Sequence, residues 1–73
     1  MTITVYSRPN CPQCVATKRK LDQLCISYQA EEMTEDQAVA FKADGHGQAP
    51  VVVTPQGSWS GFRPDLIAGL LDP

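Results

Sequence analysis

Basic residues are too few to leave a nucleic-acid footprint. Lys and Arg number six against eight Asp and Glu, for a net charge of −2. The one short basic run, Lys18-Arg19-Lys20, reads as the solvated face of a helix rather than a binding stripe. Long apolar runs are also missing, so no segment reaches the length that spans a bilayer. The N-terminus has neither the charged start nor the extended apolar stretch of a secretory signal. Cysteine is sparse, at three residues, which excludes the dense disulfide framework of small secreted domains. A reducing, cytoplasmic compartment is therefore expected, where cysteines serve catalysis or metal binding. With 73 residues, the chain is expected to form a single domain, 1–73, with a modest core and a thin stability margin. No repeat, linker or low-complexity segment divides it.

What the chain does have is Cys11-Pro12-Gln13-Cys14. The pair follows a β-like run, Thr2-Ile3-Thr4-Val5-Tyr6, and opens a helical segment. A C-x-x-C at a strand-to-helix junction is the arrangement of a thioredoxin-like redox site. One helical turn brings residues three apart onto the same face. Two sulfurs so placed can close and reopen a small ring with little backbone movement. The free N–H groups and positive dipole end of the helix favour a thiolate there. Cys11 precedes the helix and is expected to be the more exposed thiol and the nucleophile. Cys14, a turn further in, is expected to be the resolving partner.

The remaining elements are short and alternate in type. Ile3–Tyr6 predicts a first strand. A helix is expected from about Pro12 to Leu24, with Cys14, Thr17, Leu21, Leu24 and Cys25 near one face. Ile26–Ala30 reads as a second strand. Thr34-Glu35-Asp36-Gln37 is a capping box that starts a helix running to about Asp44. Pro50–Thr54 is apolar without alternation, as in a strand covered on both faces. Pro55-Gln56-Gly57 supplies turn chemistry, so Ser58–Ser60 returns as a hairpin strand. Pro64 opens a last helix with Leu66, Ile67, Leu70 and Leu71. The order βαβαββα predicts an α/β domain with a mixed four-stranded sheet flanked by three helices.

With the dithiol, this element order and Ala49-Pro50 in place, the chain resembles the glutaredoxin/thioredoxin superfamily. More narrowly it resembles the NrdH-redoxins. Trp59-Ser60-Gly61-Phe62-Arg63-Pro64 matches their C-terminal signature, and Gln48-Ala49-Pro50-Val51-Val52 matches their proline loop. Two positions depart from that family. Pro12 is the choice of glutaredoxins, and Cys25 stands where glycine is frequent.

The resemblance implies a thioredoxin/glutaredoxin fold and thiol–disulfide exchange with no bound cofactor. Electrons would arrive from NADPH through thioredoxin reductase and pass to the large subunit of class Ib ribonucleotide reductase. It implies a cis bond before Pro50, which would turn the Ala49 backbone outward to pair with an extended partner peptide. It assigns Trp59, Ser60, Gly61, Phe62 and Arg63 to a surface beside the redox site, with Arg63 expected to bond loop carbonyls. Arg8 and Lys18 are candidates for favouring the Cys11 thiolate or steering an acidic partner, and Tyr6 and Gln13 flank the site. A monomer is expected.

Two alternatives stand beside this reading. A glutathione-dependent glutaredoxin shares Cys-Pro-x-Cys, but its Gly-Gly turn and acidic clamp are replaced here by Ser60-Gly61-Phe62, with Asp65 the acid nearby. A non-catalytic zinc or adaptor module would need Cys11, Cys14, Cys25 and His46 as ligands, although Cys25 and His46 supply no second close-spaced pair.

Overall fold

A computed structural model describes residues 3–71. Seven elements follow in chain order: β1 Thr4–Ser7, α1 Pro12–Gln23, β2 Gln29–Glu32, α2 Glu35–Ala43, β3 Val51–Thr54, β4 Gly57–Ser60 and α3 Pro64–Gly69. The strands form one sheet in the order β2-β1-β3-β4. β1 runs parallel to β2, and both the β1/β3 and β3/β4 pairs are antiparallel. This is the mixed four-stranded sheet with three helices that the element order predicted.

The pleat of β1 explains why helices cover both faces, because successive side chains point to opposite sides. Val5 joins Ile3, Val52, Leu21, Ile67 and Leu70 in one buried cluster, which places α1 and α3 on that face. Tyr6 points the other way and meets Phe41 of α2, with ring centroids 5.1 Å apart. Val51 and Val52 are both fully buried, so β3 is covered on both sides as its unbroken apolar run implied.

Local chemistry sets the helix ends. Thr34 accepts the Gln37 N–H while Gln37 reaches back to the Thr34 N–H, a complete capping box. α1 closes with paired bonds from Cys25 N–H to the Asp22 carbonyl and from Ile26 N–H to the Leu21 carbonyl. That double closure requires a left-handed residue just beyond the helix cap. Cys25 fills the position with φ 58°. It is exposed and carries a free thiol.

The second strand lies later than the apolar pattern suggested. Ile26 and Tyr28 pack against the core, but the paired segment is the polar, fully exposed Gln29–Glu32. Backbone bonds define it: Gln29 N–H to the Ile3 carbonyl at one end and Met33 N–H to the Ser7 carbonyl at the other. An edge strand is placed by ladder bonding, and hydrophobicity here marks the connection leading into it. β1 is likewise displaced by one residue toward Ser7.

Candidate redox site

Cys11 is the N-cap of α1, in extended conformation, and its Sγ accepts the Cys14 N–H at 3.2 Å. Pro12 follows at the first helical position, where no N–H bond is lost. The two cysteines are joined as a disulfide with Cα atoms 5.2 Å apart, within the ordinary range for such a bridge. Cys14 is buried and Cys11 half-exposed. A sulfur attacking from outside therefore meets Cys11 first. The first turn of α1 carries no acid and its last turn carries Lys20. The positive dipole end is left uncompensated at Cys11, which stabilises its thiolate after reduction.

The proline loop and the segment after β4 close around this turn. The Ala49–Pro50 peptide is cis, and Pro50 is fully buried. The N–H and carbonyl of half-buried Ala49 have no backbone partner among the described residues. Gly61 N–H donates to the Pro50 carbonyl at 2.9 Å, and the next amide, Phe62 N–H, donates to the Gln13 side-chain oxygen at 2.9 Å. Gly61 is buried with φ +79°. A Cβ there would lie 3.0 Å from Gln48 Oε1 and 3.1 Å from Gln13 Oε1. The first turn of α1, the proline loop and the segment after β4 thus meet at Gly61, and both its conformation and its lack of a side chain are used.

Trp59 sits opposite Val52 in the hairpin register. It shares the core-facing side of the sheet, and both it and Phe62 pack against the buried cluster. The Trp59 indole N–H is buried without a partner among the described residues. Ser60, opposite Val51, is half-buried.

Arg63 departs from expectation. Its guanidinium forks onto the Asp65 carboxylate, Nε to Oδ1 at 3.3 Å and Nη2 to Oδ2 at 3.1 Å, and bonds no loop carbonyl among the described residues. The reason is local. Arg63 is exposed at the start of α3 with an acid two residues on. The hydrogen bond from Arg63 holds the Asp65 carboxyl below the usual carboxylate range.

Arg8 and Lys18 make no ion pair among the described residues. Arg8 instead lines a cavity of about 200 Å³ with Lys42, His46 and Ala49. His46 is half-buried, and its Nε2 lies 3.1 Å from Ser58 Oγ. Cys25 stands at the far end of α1 from the dithiol, roughly 16 Å from Cys14 at the helical rise per residue. A single ion therefore cannot be shared by Cys14 and Cys25. Sequence reasoning placed Gln48 in the proline loop but not its approach to Gly61; for Gln13 it found a place beside the site but not its bond across 49 positions. No local pattern signals such a contact.

The glutaredoxin family model matches residues 3–54. The glutaredoxin-like protein NrdH of Salmonella typhimurium is 44% identical over 69 residues, covering 92% of this chain and 85% of that one. The chain belongs to the glutaredoxin family, in its NrdH-redoxin branch. The NrdH of Lactococcus lactis subsp. cremoris is 34% identical over 70 residues, 93% of this chain and 97% of its own. A solved NrdH-redoxin from Escherichia coli, a glutaredoxin-like protein with a thioredoxin-like activity profile, superposes with a TM-score of 0.88. It is 41% identical and covers all of this chain and 97% of its own. As an NrdH-redoxin with a bridged Cys11–Cys14 pair, the protein is a thiol–disulfide oxidoreductase. Among the described residues, no helix is long and apolar enough to cross a membrane.

Proposed function

We propose that thioredoxin reductase, drawing on NADPH, reduces the Cys11–Cys14 disulfide, and that the dithiol then reduces the cysteine pair of the class Ib ribonucleotide reductase large subunit. No bound cofactor takes part, and the protein works as a monomer in the cytoplasm. In each cycle the Cys11 thiolate attacks one sulfur of the partner disulfide. A Cys11–partner bond forms, and the partner's other sulfur leaves as a thiolate. Cys14, once deprotonated, attacks Cys11 Sγ, re-forms the internal disulfide and expels the second partner thiolate. Two electrons move to the partner, and two return from NADPH through the reductase.

The observation that carries the choice of thioredoxin reductase over glutathione is the occupied segment after β4. The Phe62 N–H is held by Gln13 and the Asp65 carboxylate by Arg63. A tripeptide seeking a backbone N–H and a free acid there would have to displace both. The Ala49 backbone groups stay open to an extended protein partner. The test is NADPH consumption in a coupled disulfide-reduction assay, run with thioredoxin reductase and, separately, with glutathione plus glutathione reductase. Turnover with thioredoxin reductase alone is expected. Turnover with glutathione alone would overturn the reading and make Pro12 the better guide.

A further inference from the structure

Gln13 lies between the two redox cysteines and takes no part in the sulfur chemistry above. Its carboxamide oxygen accepts the Phe62 N–H, while the preceding amide, Gly61 N–H, is held by the Pro50 carbonyl. Two consecutive amides are therefore tied to two different loops. One tie runs to the proline loop, the other to the turn that carries Cys11 and Cys14. Gly61 has no side chain, and both Gln13 and Gln48 oxygens approach into that space. Thr17 braces the same turn from below, its buried hydroxyl donating to the Gln13 carbonyl at 2.8 Å. The Gln13 backbone is thereby fixed from the core side while its side chain reaches out to Phe62.

We infer that Gln13 is a positioning residue that sets where Phe62 stands relative to the dithiol, and so shapes the surface a protein disulfide must dock on. The inference rests on the reading that the redoxin exchanges with protein partners. Cys11 at the start of α1, Ala49 on the proline loop and Phe62 after β4 belong to the three segments that meet at Gly61. A partner chain laid along Ala49 must bring its sulfur to Cys11 with Phe62 as a neighbour. Without the Gln13 acceptor, Phe62 loses its link to the dithiol turn and the corner is held through Gly61 alone. A small disulfide touches only Cys11 and does not sense this. Gln13 thus acts on the recognition of proteins and not on sulfur chemistry.

The experiment compares Gln13→Met, which keeps length and removes the amide oxygen, with wild type and with Phe62→Ala and the double variant. Each is assayed with insulin disulfides driven by dithiothreitol, with hydroxyethyl disulfide as the small probe, and with thioredoxin reductase. The insulin arm needs no reductase, so failure of the reductase reading and failure of this inference are distinguishable. The ratio of insulin to small-disulfide kcat/KM is expected to fall about threefold to tenfold in Gln13→Met, the range of one lost hydrogen bond. The fall is expected to come from a higher KM rather than a lower kcat. In the Phe62→Ala background, Gln13→Met is expected to add nothing, because its target is gone. Faster amide exchange at Phe62, with a cooperative urea transition of unchanged slope and a midpoint lowered by no more than that one bond, would mark loss of the link without loss of fold. Additive effects of the two substitutions, or an unchanged ratio in Gln13→Met, would overturn the inference.

Discussion

Replacing Gly61 with Ala tests the packing of the site through one methyl group. Two costs are expected. The backbone cost arises because φ +79° lies in the left-handed region, where a Cβ is disfavoured by roughly 1–2 kcal/mol. The contact cost arises because the methyl would lie 3.0 Å from Gln48 Oε1 and 3.1 Å from Gln13 Oε1. Gln48 ends a flexible side chain and can swing aside. Gln13 cannot do so freely, since its oxygen holds the Phe62 N–H at 2.9 Å, and giving up that bond costs about 0.5–1.5 kcal/mol. Together the loss is about 1.5–3.5 kcal/mol. Against a total of roughly 4–11 kcal/mol for a chain of this length, that is a large share. Thermal unfolding of the oxidised protein should fall by roughly 6–28 °C. A second arm separates the two costs. In a Gln13→Ala background the oxygen is absent, so Gly61→Ala should cost only the backbone part, about 1–2 kcal/mol. A drop below about 2 °C for Gly61→Ala alone would refute the argument. So would an equal cost with and without Gln13.

Other perturbations probe separate links. Cys25→Gly should stabilise the reduced protein by about 0.5–1 kcal/mol in urea unfolding, because the position is left-handed and glycine meets that need without strain; a loss would show that the thiol makes an unseen contact. Thr34→Ala removes the hydroxyl that accepts the Gln37 N–H, leaves the Thr34 backbone N–H with Gln37, and should cost about 1 kcal/mol, read as a lower urea midpoint with unchanged slope. Cys11→Ser should abolish turnover, while Cys14→Ser should accumulate a mixed disulfide with the partner, detectable by intact mass under non-reducing conditions; full activity in either variant would reverse the assigned roles. Asp65 is held below the usual carboxylate range by Arg63, so its contribution is present above the unfolded value and is lost as pH falls through the folded one. Acid titration of stability should therefore be shallower in Asp65→Asn, and an unchanged curve would deny the pair any part in folding.

The sequence by itself determined those features whose physics is local. Cys11-Pro12-Gln13-Cys14 starts α1 because a proline at the first helical position costs no bond and a cysteine can cap it. Thr34 and Gln37 start α2 because each holds the other's amide. Pro64 opens α3 for the same reason as Pro12. The unbroken run Val51-Val52-Val53 announced a buried central strand, and the order of elements then left few ways to form a sheet. Tertiary structure decided what depends on chain segments far apart. β2 settled on the polar Gln29–Glu32 because β1 offered its carbonyls there, a choice no hydrophobic pattern records. Gln13 found Phe62 only once the sheet had folded the C-terminal segment back over the dithiol. Residue type and spacing carry short-range capping and thiol chemistry, whereas a hydrogen bond across the domain exists only when the whole backbone has brought donor and acceptor within 3 Å.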